Sequence, residues 1–425
     1  MVTDAARPRS GARVSIAAVA AAVSTFVITI LAARALTVGS DASAYSEFIV
    51  FWSLLSCCFG LIAGVQQEAT RSVRARVVAR ARGGSPVIAV GLALGTVIAL
   101  TVLATGPLWA SRLLPLASGS GVAAIAVGAV AYSLYAVGVG SAGGSQEWGL
   151  YSALMILDAL GRLTLVAGVV LLGGGLGPIG WACVGATVIC GLVLLLPRFR
   201  PLLLARGDRP FWPGLRATAY TMVSSAANVI LVSGFPALVS VVVRRVDPSQ
   251  LASIMTVVQL TRAPIMIPLM AFQGVAVSTF VAHEESGFRA LAKPVGLVVA
   301  VGLVGAPTAA LVGPFLLRFL YGAAYVVPAS MFAVLVIASV AMALLTLTGT
   351  MALALGSHRG YALGWLVPVG AVVLLLQLPV PLPLAVGWSL CVGPIAGMVI
   401  HGIAVALARR SRRLSAGALD SAARS

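Results

Sequence analysis

Residues 86–110, PVIAVGLALGTVIALTVLATGPLWA, carry no charged side chain over 25 consecutive positions. A helix that crosses a bilayer needs about 20 mainly apolar residues, so this stretch is long enough to span one. Eleven further runs of mainly apolar residues occur along the chain. Together they give twelve candidate spans: 14–36, 45–66, 86–110, 119–141, 151–173, 176–197, 217–243, 249–273, 294–315, 327–355, 361–378 and 383–408.

The composition of the whole chain points the same way. Of its 425 residues, 60% are hydrophobic and 9% are charged, and the mean hydropathy is +1.07. A soluble domain carries about 25% charged residues, so this chain has too few to cover a water-facing surface. A membrane β-barrel would show alternating segments of about ten residues rather than long apolar runs. The sequence therefore predicts an all-α polytopic membrane protein.

The basic residues predict how the chain is oriented. There are 28 Lys and Arg against 11 Asp and Glu, which gives a formal charge of +17. The basic residues cluster between the apolar runs, so we interpret them as a topology signal and expect no nucleic-acid partner. With the N-terminus in the cytoplasm, 21 of them lie on inside segments and five on outside segments. This bias follows the positive-inside rule and predicts that both termini are cytoplasmic.

The sequence also contains a faint internal repeat. Residues 144–151, GSQEWGLY, resemble residues 356–361, GSHRGY, and residues 180–185, GWACVG, resemble residues 387–393, GWSLCVG. These stretches precede the fifth and eleventh spans and open the sixth and twelfth. Each copy holds six spans, an even number, so both copies enter the membrane from the same side. A parallel repeat of this kind is a transporter architecture.

The repeat predicts two parallel six-helix bundles around a central cavity. We place the boundaries of the domains in the polar segments between the two copies and at the C-terminal end. The predicted domains are an N-terminal bundle with its cytoplasmic tail, a cytoplasmic linker, a C-terminal bundle and a basic cytoplasmic tail: 1–197, 198–216, 217–408 and 409–425.

Two ionisable residues fall near the middle of the fifth span. Asp158 and Arg162 are four residues apart, so they share one face of the predicted helix. Ionisable residues inside a membrane are costly and are functional candidates. Two interpretations remain open: the pair neutralises itself so that the helix inserts, or it contributes to a binding site.

Arg262 lies on the eighth span, about 17 Å along the helix from Leu251. No acidic residue lies within one helical turn of it in the sequence. An arginine at this depth favours a water-filled cavity, a partner on another helix or an anionic ligand. Pro264 and Pro268 follow it and would kink the helix, which frees backbone carbonyls. Gln259 is one turn earlier on the same face, so we place both side chains in a substrate-binding site.

Further polar side chains are weaker candidates. Asn228 lies near the middle of the seventh span, on one face with Thr221 and Ser225, where such residues either join helices together or line a cavity. Arg34 and Glu47 lie near the outer interface, where a charge is inexpensive. We include Asn228 and Arg34 among the candidate substrate-binding residues.

The sequence shows no sign of an enzyme. The histidines are scattered, and there is no HExxH, no phosphate-binding loop and no nucleophile elbow. The five cysteines lie inside apolar runs without metal-ligand spacing, so we interpret them as packing residues. We therefore expect no catalytic residue, no metal and no cofactor.

With these features in hand, the chain resembles the polysaccharide-lipid (O-antigen-type) flippases of the multidrug/oligosaccharidyl-lipid/polysaccharide exporter superfamily. Short motifs spread over nearly the whole chain carry this resemblance. They are 32–36 AARAL with 44–48 AYSEF, where Ser46 replaces the usual glycine, the stretch 143–151 followed by Asp158 and Arg162, 261–264 TRAP, and 320–325 LYGAAY.

The resemblance implies a V-shaped pair of six-helix bundles that works by alternating access in a bacterial inner membrane. It implies a polyprenyl-diphosphate-linked saccharide as cargo, the lipid bilayer as its surroundings, and a polysaccharide polymerase or glycosyltransferases as further partners. A diphosphate could pair bidentately with Arg162 and Arg262.

Two other functions stay open. A cation-coupled multidrug exporter of the same superfamily would need acidic residues in its bundles that no basic residue compensates. A non-transporting membrane scaffold for envelope assembly would tolerate substitution of Arg262.

Overall fold

A computed structural model describes residues 7–39, 41–80, 84–243, 246–282, 288–354 and 357–424. The chain in these ranges forms fourteen α-helices, numbered in chain order. They are α1 (Arg7–Leu36), α2 (Ser43–Ala79), α3 (Val87–Leu113), α4 (Ser118–Gly144), α5 (Trp148–Leu171), α6 (Leu176–Leu195), α7 (Arg200–Leu203), α8 (Phe211–Val232), α9 (Phe235–Val242), α10 (Pro248–Ala282), α11 (Phe288–Tyr321), α12 (Ala329–Ala354), α13 (His358–Leu376) and α14 (Leu382–Arg424).

The prediction of an all-α polytopic membrane protein is confirmed. Ten helices in the described ranges are long and apolar enough to cross a membrane, and the bent pair α8 and α9 would make eleven. The predicted eighth span, 249–273, lies within α10, in which the side chains of Ile267, Pro268 and every residue after Leu269 are outside the described residues. β-structure within the described ranges is limited to isolated bridges between Val38 and Asp41 and between Pro86 and Arg206.

The predicted seventh span, 217–243, is not one straight helix. α8 ends at Val232, α9 begins at Phe235, and the two helices differ in direction by 77°. The cause is Pro236, because proline has no backbone N–H and its ring clashes with the carbonyl four residues earlier. Proline is well suited to the first turn of the next helix, where it stands in α9.

Ser53 of α2 satisfies the backbone groups that this break exposes. Its hydroxyl donates to the Ser233 carbonyl at 2.8 Å and accepts from the Ala237 N–H at 3.2 Å. An unpaired backbone group at membrane depth costs several kcal/mol, so a broken helix needs such a partner. α2 lies close along α8, since a Cβ on Gly60 would come within 2.7 Å of Val229 and one on Gly64 within 2.7 Å of Met222.

The contacts divide the chain into two compact units. Unit 1 comprises Met1–Ala252 together with Leu320–Tyr325, and unit 2 comprises Ser253–Phe319 and Val326–Ser425. In unit 1, α4 packs against α2, α3 and α6, and α5 packs against α1 and α6. In unit 2, α14 packs against α12 and α13. The division into six-helix halves at 198–216 stays a prediction.

The segment 198–216 is joined to the rest of unit 1 by backbone hydrogen bonds. The Val87 N–H donates to the Ala205 carbonyl at 2.9 Å, and the Gly207 N–H donates to the Ser85 carbonyl at 3.0 Å. Arg71 of α2 adds an ion pair with Asp208 at 3.1 Å. This part of the predicted linker is therefore held against the start of α3 and the C-terminal half of α2.

Candidate functional site

Asp158 and Arg162 of α5 form an ion pair inside unit 1. The Nη2 atom of Arg162 lies 2.7 Å from Oδ2 of Asp158, and each side chain is only 12% exposed. Thr187 of α6 completes the group: its hydroxyl donates to Oδ1 of Asp158 at 2.7 Å and accepts from Nη2 of Arg162 at 3.0 Å. The i,i+4 spacing thus produces the contact that the sequence predicts, and α6 adds a third member.

Aromatic rings surround the guanidinium of Arg162. Its Cζ atom lies 5.7 Å from the ring centroid of Trp52 and 5.5 Å from that of Phe59, both on α2. Phe59 in turn stacks on Tyr132 of α4, with the ring centroids 4.2 Å apart. A cation over aromatic faces is attracted by about 2 kcal/mol where water is excluded. Arg162 is thereby directed into the packed interior of unit 1.

This geometry favours the self-neutralising interpretation of the pair. Both carboxylate oxygens of Asp158 already accept hydrogen bonds, from Arg162 and Thr187. A charge that is buried, paired and hydrogen-bonded needs no ligand to compensate it. A direct part for Asp158 or Arg162 in substrate binding stays a prediction.

Arg262 lies on α10, within unit 2. Its side chain is half-buried and its Nε atom is buried. Gln259, one turn earlier, is half-buried too, while the hydroxyl of Thr261 donates back to the Val257 carbonyl at 2.8 Å. The predicted patch of Gln259 and Arg262 is therefore in place on one helix, and its role in binding stays a prediction.

Pro264 is exposed on α10, and the helix continues past it to Ala282. Since a proline has no N–H, the carbonyl of Leu260 has no partner of the usual helical kind. This places an acceptor in the same turn as Arg262, while the kink at the two prolines stays a prediction. The side chain of Pro268 lies outside the described residues.

Asn228 is half-buried in the second half of α8. Thr221, predicted to share its face, donates back to the Ala217 carbonyl at 3.0 Å. The side chain of Ser225, the third member of the predicted stripe, lies outside the described residues. Cavity lining by Asn228 stays a prediction.

Arg34, the last candidate, is exposed at the end of α1 and contacts a distant part of the chain. Its Nε donates to the Leu320 carbonyl at 2.8 Å. Leu320 begins the six residues Leu320–Tyr325, here called the clasp segment, that belong to unit 1 although the chain on either side belongs to unit 2. A structural role for Arg34 is therefore visible in addition to the predicted binding role, which stays a prediction.

The clasp segment packs against the ends of α1 and α2. The Tyr325 hydroxyl lies 2.7 Å from the Thr37 hydroxyl, and the Tyr325 ring meets the Tyr45 ring edge to face at 5.7 Å. The Tyr321 hydroxyl lies 3.4 Å from that of Thr29. Two of the short motifs that carry the family resemblance, 32–36 with 44–48 and 320–325, are thus in contact with each other.

Glu47 also has a structural function in unit 1. Its two carboxylate oxygens accept from the backbone N–H groups of Leu116 and Ala117, each at 2.8 Å. These groups directly precede α4, so the carboxylate fastens the α3–α4 turn to α2. The side chain is buried, which makes the pairing essential.

Sequence reasoning missed Thr187 and the aromatic residues around Arg162. A threonine in an apolar run gives no signal of its own, and Trp52 and Phe59 look like ordinary packing residues. Their seven-residue spacing places them on one face of α2, but only the structure shows that the guanidinium of Arg162 lies over both rings.

No family model matches this chain. Solved structures share its fold. A multidrug resistance MATE family transporter of the MOP superfamily in its inward-facing conformation aligns with a TM-score of 0.72 at 16% identity, covering 93% of this chain and 95% of that one. The outward-facing conformation of such a transporter aligns with a TM-score of 0.66 at 17% identity, covering 96% of each chain.

A third structure with this fold is a MOP superfamily transporter from Pyrococcus furiosus, with a TM-score of 0.68 at 17% identity and 96% of each chain covered. For that protein, reverse polarity of the binding pocket suggests a different function. These likenesses confirm the fold class, a multi-pass helical membrane protein with the fold of MOP superfamily transporters.

Two relatives are much closer in sequence. The uncharacterised protein Rv1510 of Mycobacterium tuberculosis is 36% identical over 409 residues, covering 94% of this chain and 92% of the relative. The uncharacterised protein Rv3630 of the same organism is 34% identical over 408 residues, covering 93% and 92%. The chain therefore belongs to the family of multi-pass membrane proteins that includes Rv1510 and Rv3630 of Mycobacterium tuberculosis.

Proposed function

We propose that this protein is a flippase that moves a polyprenyl-diphosphate-linked oligosaccharide from the cytoplasmic to the outer leaflet for cell-surface polysaccharide assembly. It would work by alternating access in a bacterial cytoplasmic membrane, with both termini inside. The fold supports a transporter, since structures with this fold include inward-facing and outward-facing conformations of one transporter family. The substrate class has to be argued from the charges.

The proposal rests on the observation that Asp158, the carboxylate in the middle of α5, is already hydrogen-bonded to other side chains of the protein. Asp158 lies about 15 Å along α5 from Trp148, near the middle of a bilayer core of about 30 Å. Both of its oxygens are bonded, to Arg162 and Thr187. The other carboxylates within the described apolar spans are also bonded: Glu47 to two backbone N–H groups and Glu68 to Arg71.

A site for a cationic substrate needs a carboxylate that is not bonded to another group of the protein. An anionic substrate needs a guanidinium, which holds phosphate oxygens in a bidentate manner. Arg262 offers this group on α10, with the amide of Gln259 on the same helix face. The charges of the described helices therefore favour an anionic cargo.

The direction of transport is compatible with an anionic cargo. An inside-negative membrane potential drives negative charge outward by about 2.3 kcal/mol per charge per 100 mV. A diphosphate carrying two charges would gain about twice this free energy. The potential could thus supply part of the driving force for moving the lipid headgroup.

The second candidate is a cation-coupled multidrug exporter. It is favoured by the structural neighbours, several of which are MATE family multidrug transporters. The Pyrococcus furiosus neighbour supports the view that pocket polarity separates functions within this fold. The bonded carboxylates of the described apolar helices, Asp158, Glu47 and Glu68, count against an exporter of cations.

A comparison of cargoes in reconstituted vesicles tests the proposal. The purified protein is placed in vesicles that contain either a fluorescent polyprenyl-diphosphate saccharide or a cationic dye, under an inside-negative potential. We expect movement of the diphosphate lipid, no movement of the dye, and no movement of the same lipid with a neutral headgroup.

Movement of the cationic dye alone would replace the flippase by the multidrug exporter. Movement of neither compound, together with retention of polysaccharide polymerase or glycosyltransferases on the purified protein, would favour a non-transporting scaffold for envelope assembly. The cytoplasmic position of the termini is tested by a reporter fused after Arg413, which should read inside, and one inserted between Val246 and Asp247, which should read outside.

A further inference from the structure

His401 is fully buried in unit 2, where α12, α13 and α14 meet. Its Nδ1 atom lies 3.1 Å from the hydroxyl of Thr348, and its Nε2 atom lies 3.3 Å from the backbone carbonyl of Tyr361. The imidazole stacks on the Tyr361 ring at 6.1 Å and meets the Trp365 ring edge-on at 6.4 Å. The proposed substrate site does not include this cluster.

Glycines shape the space around the imidazole. A Cβ on Gly364 of α13 would overlap the His401 ring, and one on Gly349 of α12 would come within 3.1 Å of it. Two neighbouring helices, α12 and α13, therefore approach the ring closely enough to hold it in one orientation. Both ring nitrogens face a defined oxygen as a result.

The hydrogen bonds define where the protons are. A carbonyl only accepts, so Nε2 of His401 must carry a proton toward Tyr361. The Thr348 hydroxyl lies 3.0 Å from the Leu345 carbonyl, and when it donates there it offers only a lone pair to Nδ1. Nδ1 must then carry a proton as well, and the ring is an imidazolium.

One rotation of the Thr348 hydroxyl gives the other state. If the Thr348 hydroxyl donates to Nδ1 instead, the imidazole is neutral. The Leu345 carbonyl then still accepts from its backbone N–H partner within α12. Each protonation state of His401 therefore has a complete set of hydrogen bonds. The two states differ by one proton on Nδ1 of His401 and by the orientation of the Thr348 hydroxyl.

Among the described side chains that contact the imidazole from α12 and α13, Tyr361 is the titratable one, and Thr348 and Trp365 are neutral. No described charged side chain of these helices pairs with the ring. His401 lies seven residues, about 10 Å, before the end of the apolar part of α14 at Ala408, within reach of the membrane surface.

We infer that His401 is a proton-binding site in unit 2 and that transport by this chain depends on its protonation, an inference that rests on the proposed function. Histidine changes charge between about pH 5 and 8, and ionisable residues within a membrane commonly serve as proton sites. Protonation adds a charge to the contact of α12, α13 and α14, which couples proton binding to the arrangement of these helices.

Trp365 provides a test that does not depend on transport. An imidazolium next to an indole quenches its fluorescence more strongly than a neutral imidazole does. The full-length protein is titrated from pH 5 to pH 8 in vesicles while tryptophan emission is recorded. We expect a sigmoidal change in the wild type that is lost in His401→Gln, whose amide preserves a donor toward Tyr361 and an acceptor toward Thr348.

The same titration of Trp365→Phe keeps the proposal testable if His401→Gln does not fold. The other six tryptophans remain in this variant, so loss of the change assigns the signal to the cluster. A change that persists in both variants, or a wild type without any change, would overturn the proton site.

The dependence of transport is measured with the diphosphate lipid at pH 5.5 and pH 7.5. We expect the wild-type rate to differ at least threefold between these values and the His401→Gln rate to be the same at both. A wild type with equal rates would overturn the dependence. A chain that titrates through His401 but moves no cargo at any pH would support the proton site and contradict the proposed function instead.

Discussion

Arg162 of α5 and Arg262 of α10 have different surroundings. Arg162 in unit 1 is bonded to Asp158 and Thr187, lies over two aromatic rings and is 12% exposed. Arg262 in unit 2 is half-buried on α10, one turn after the neutral amide of Gln259. The Arg162 charge is therefore neutralised within α5 by Asp158.

This difference separates a structural charge from a candidate binding charge. A buried ion pair contributes little net stability, but its rupture is expensive because one charge is left buried. Removal of a binding charge costs affinity for the ligand and leaves the fold largely unaffected. Substitutions of Arg162 should therefore lower the stability of the fold, whereas substitutions of Arg262 should lower the transport rate.

The largest effect on stability is expected for Asp158→Asn. The variant leaves the Arg162 charge buried without a counterion, which should lower the free energy of unfolding by about 3–5 kcal/mol. Thermal and denaturant unfolding of the purified protein measures this. Glu147→Gln is the matched control, because Glu147 is exposed just before α5 and should change stability by less than about 0.5 kcal/mol.

A second substitution checks the cause. The double variant Asp158→Asn, Arg162→Gln removes both charges and should recover more than half of the lost stability. If the double variant is less stable than Asp158→Asn alone, the pair does not act by mutual neutralisation.

The next largest effects are expected when Arg162 and Arg262 are each replaced by lysine. Arg162→Lys keeps the charge but loses the planar group that lies over Trp52 and Phe59, and should cost about 1–2 kcal/mol of stability. Arg262→Lys should change stability by less than about 0.5 kcal/mol and lower the flipping rate instead. Equal losses of stability at both positions would remove the distinction between the two arginines.

The smallest effect is expected in the clasp segment. Tyr325→Phe removes the hydroxyl that lies 2.7 Å from Thr37 and should cost about 0.5–1.5 kcal/mol. Thr37→Val should cost a similar amount, and the double variant little more than either single one. Additive losses, measured by unfolding of all three variants, would show that the two hydroxyls do not interact.

Much of the fold was predictable because apolar runs of sufficient length determine membrane spans. The break in the seventh span was visible as Gly234 and Pro236, yet the run stays apolar through both, so hydropathy alone predicts a single helix. The attachment of 198–216 to the start of α3 depends on backbone groups such as the Ser85 carbonyl. Backbone hydrogen bonds of this kind have no side-chain pattern from which they could be predicted.

The candidate site was predictable where contacts are local. The pair Asp158 and Arg162 follows from helix periodicity, and the structure confirms that the two side chains meet. The partners from other helices, Thr187 above all, depend on how the helices pack. The contact of Arg34 with the Leu320 carbonyl joins residues 286 positions apart, and only the assembled unit shows it.

The central claim is that Arg262 binds an anionic headgroup, and one pair of measurements on Arg262→Ala tests it. The flipping rate of a polyprenyl-diphosphate saccharide in vesicles is measured beside a thermal melt of the same preparation, with Arg318→Ala, an exposed arginine of α11, as the control. We predict that flipping falls about 10- to 100-fold, as expected for loss of a charge-assisted contact, while the stability stays within about 1 kcal/mol of the wild type and the control is unaffected. A stable Arg262→Ala protein that flips at the wild-type rate, or a loss of flipping that only parallels a loss of stability, would contradict the claim.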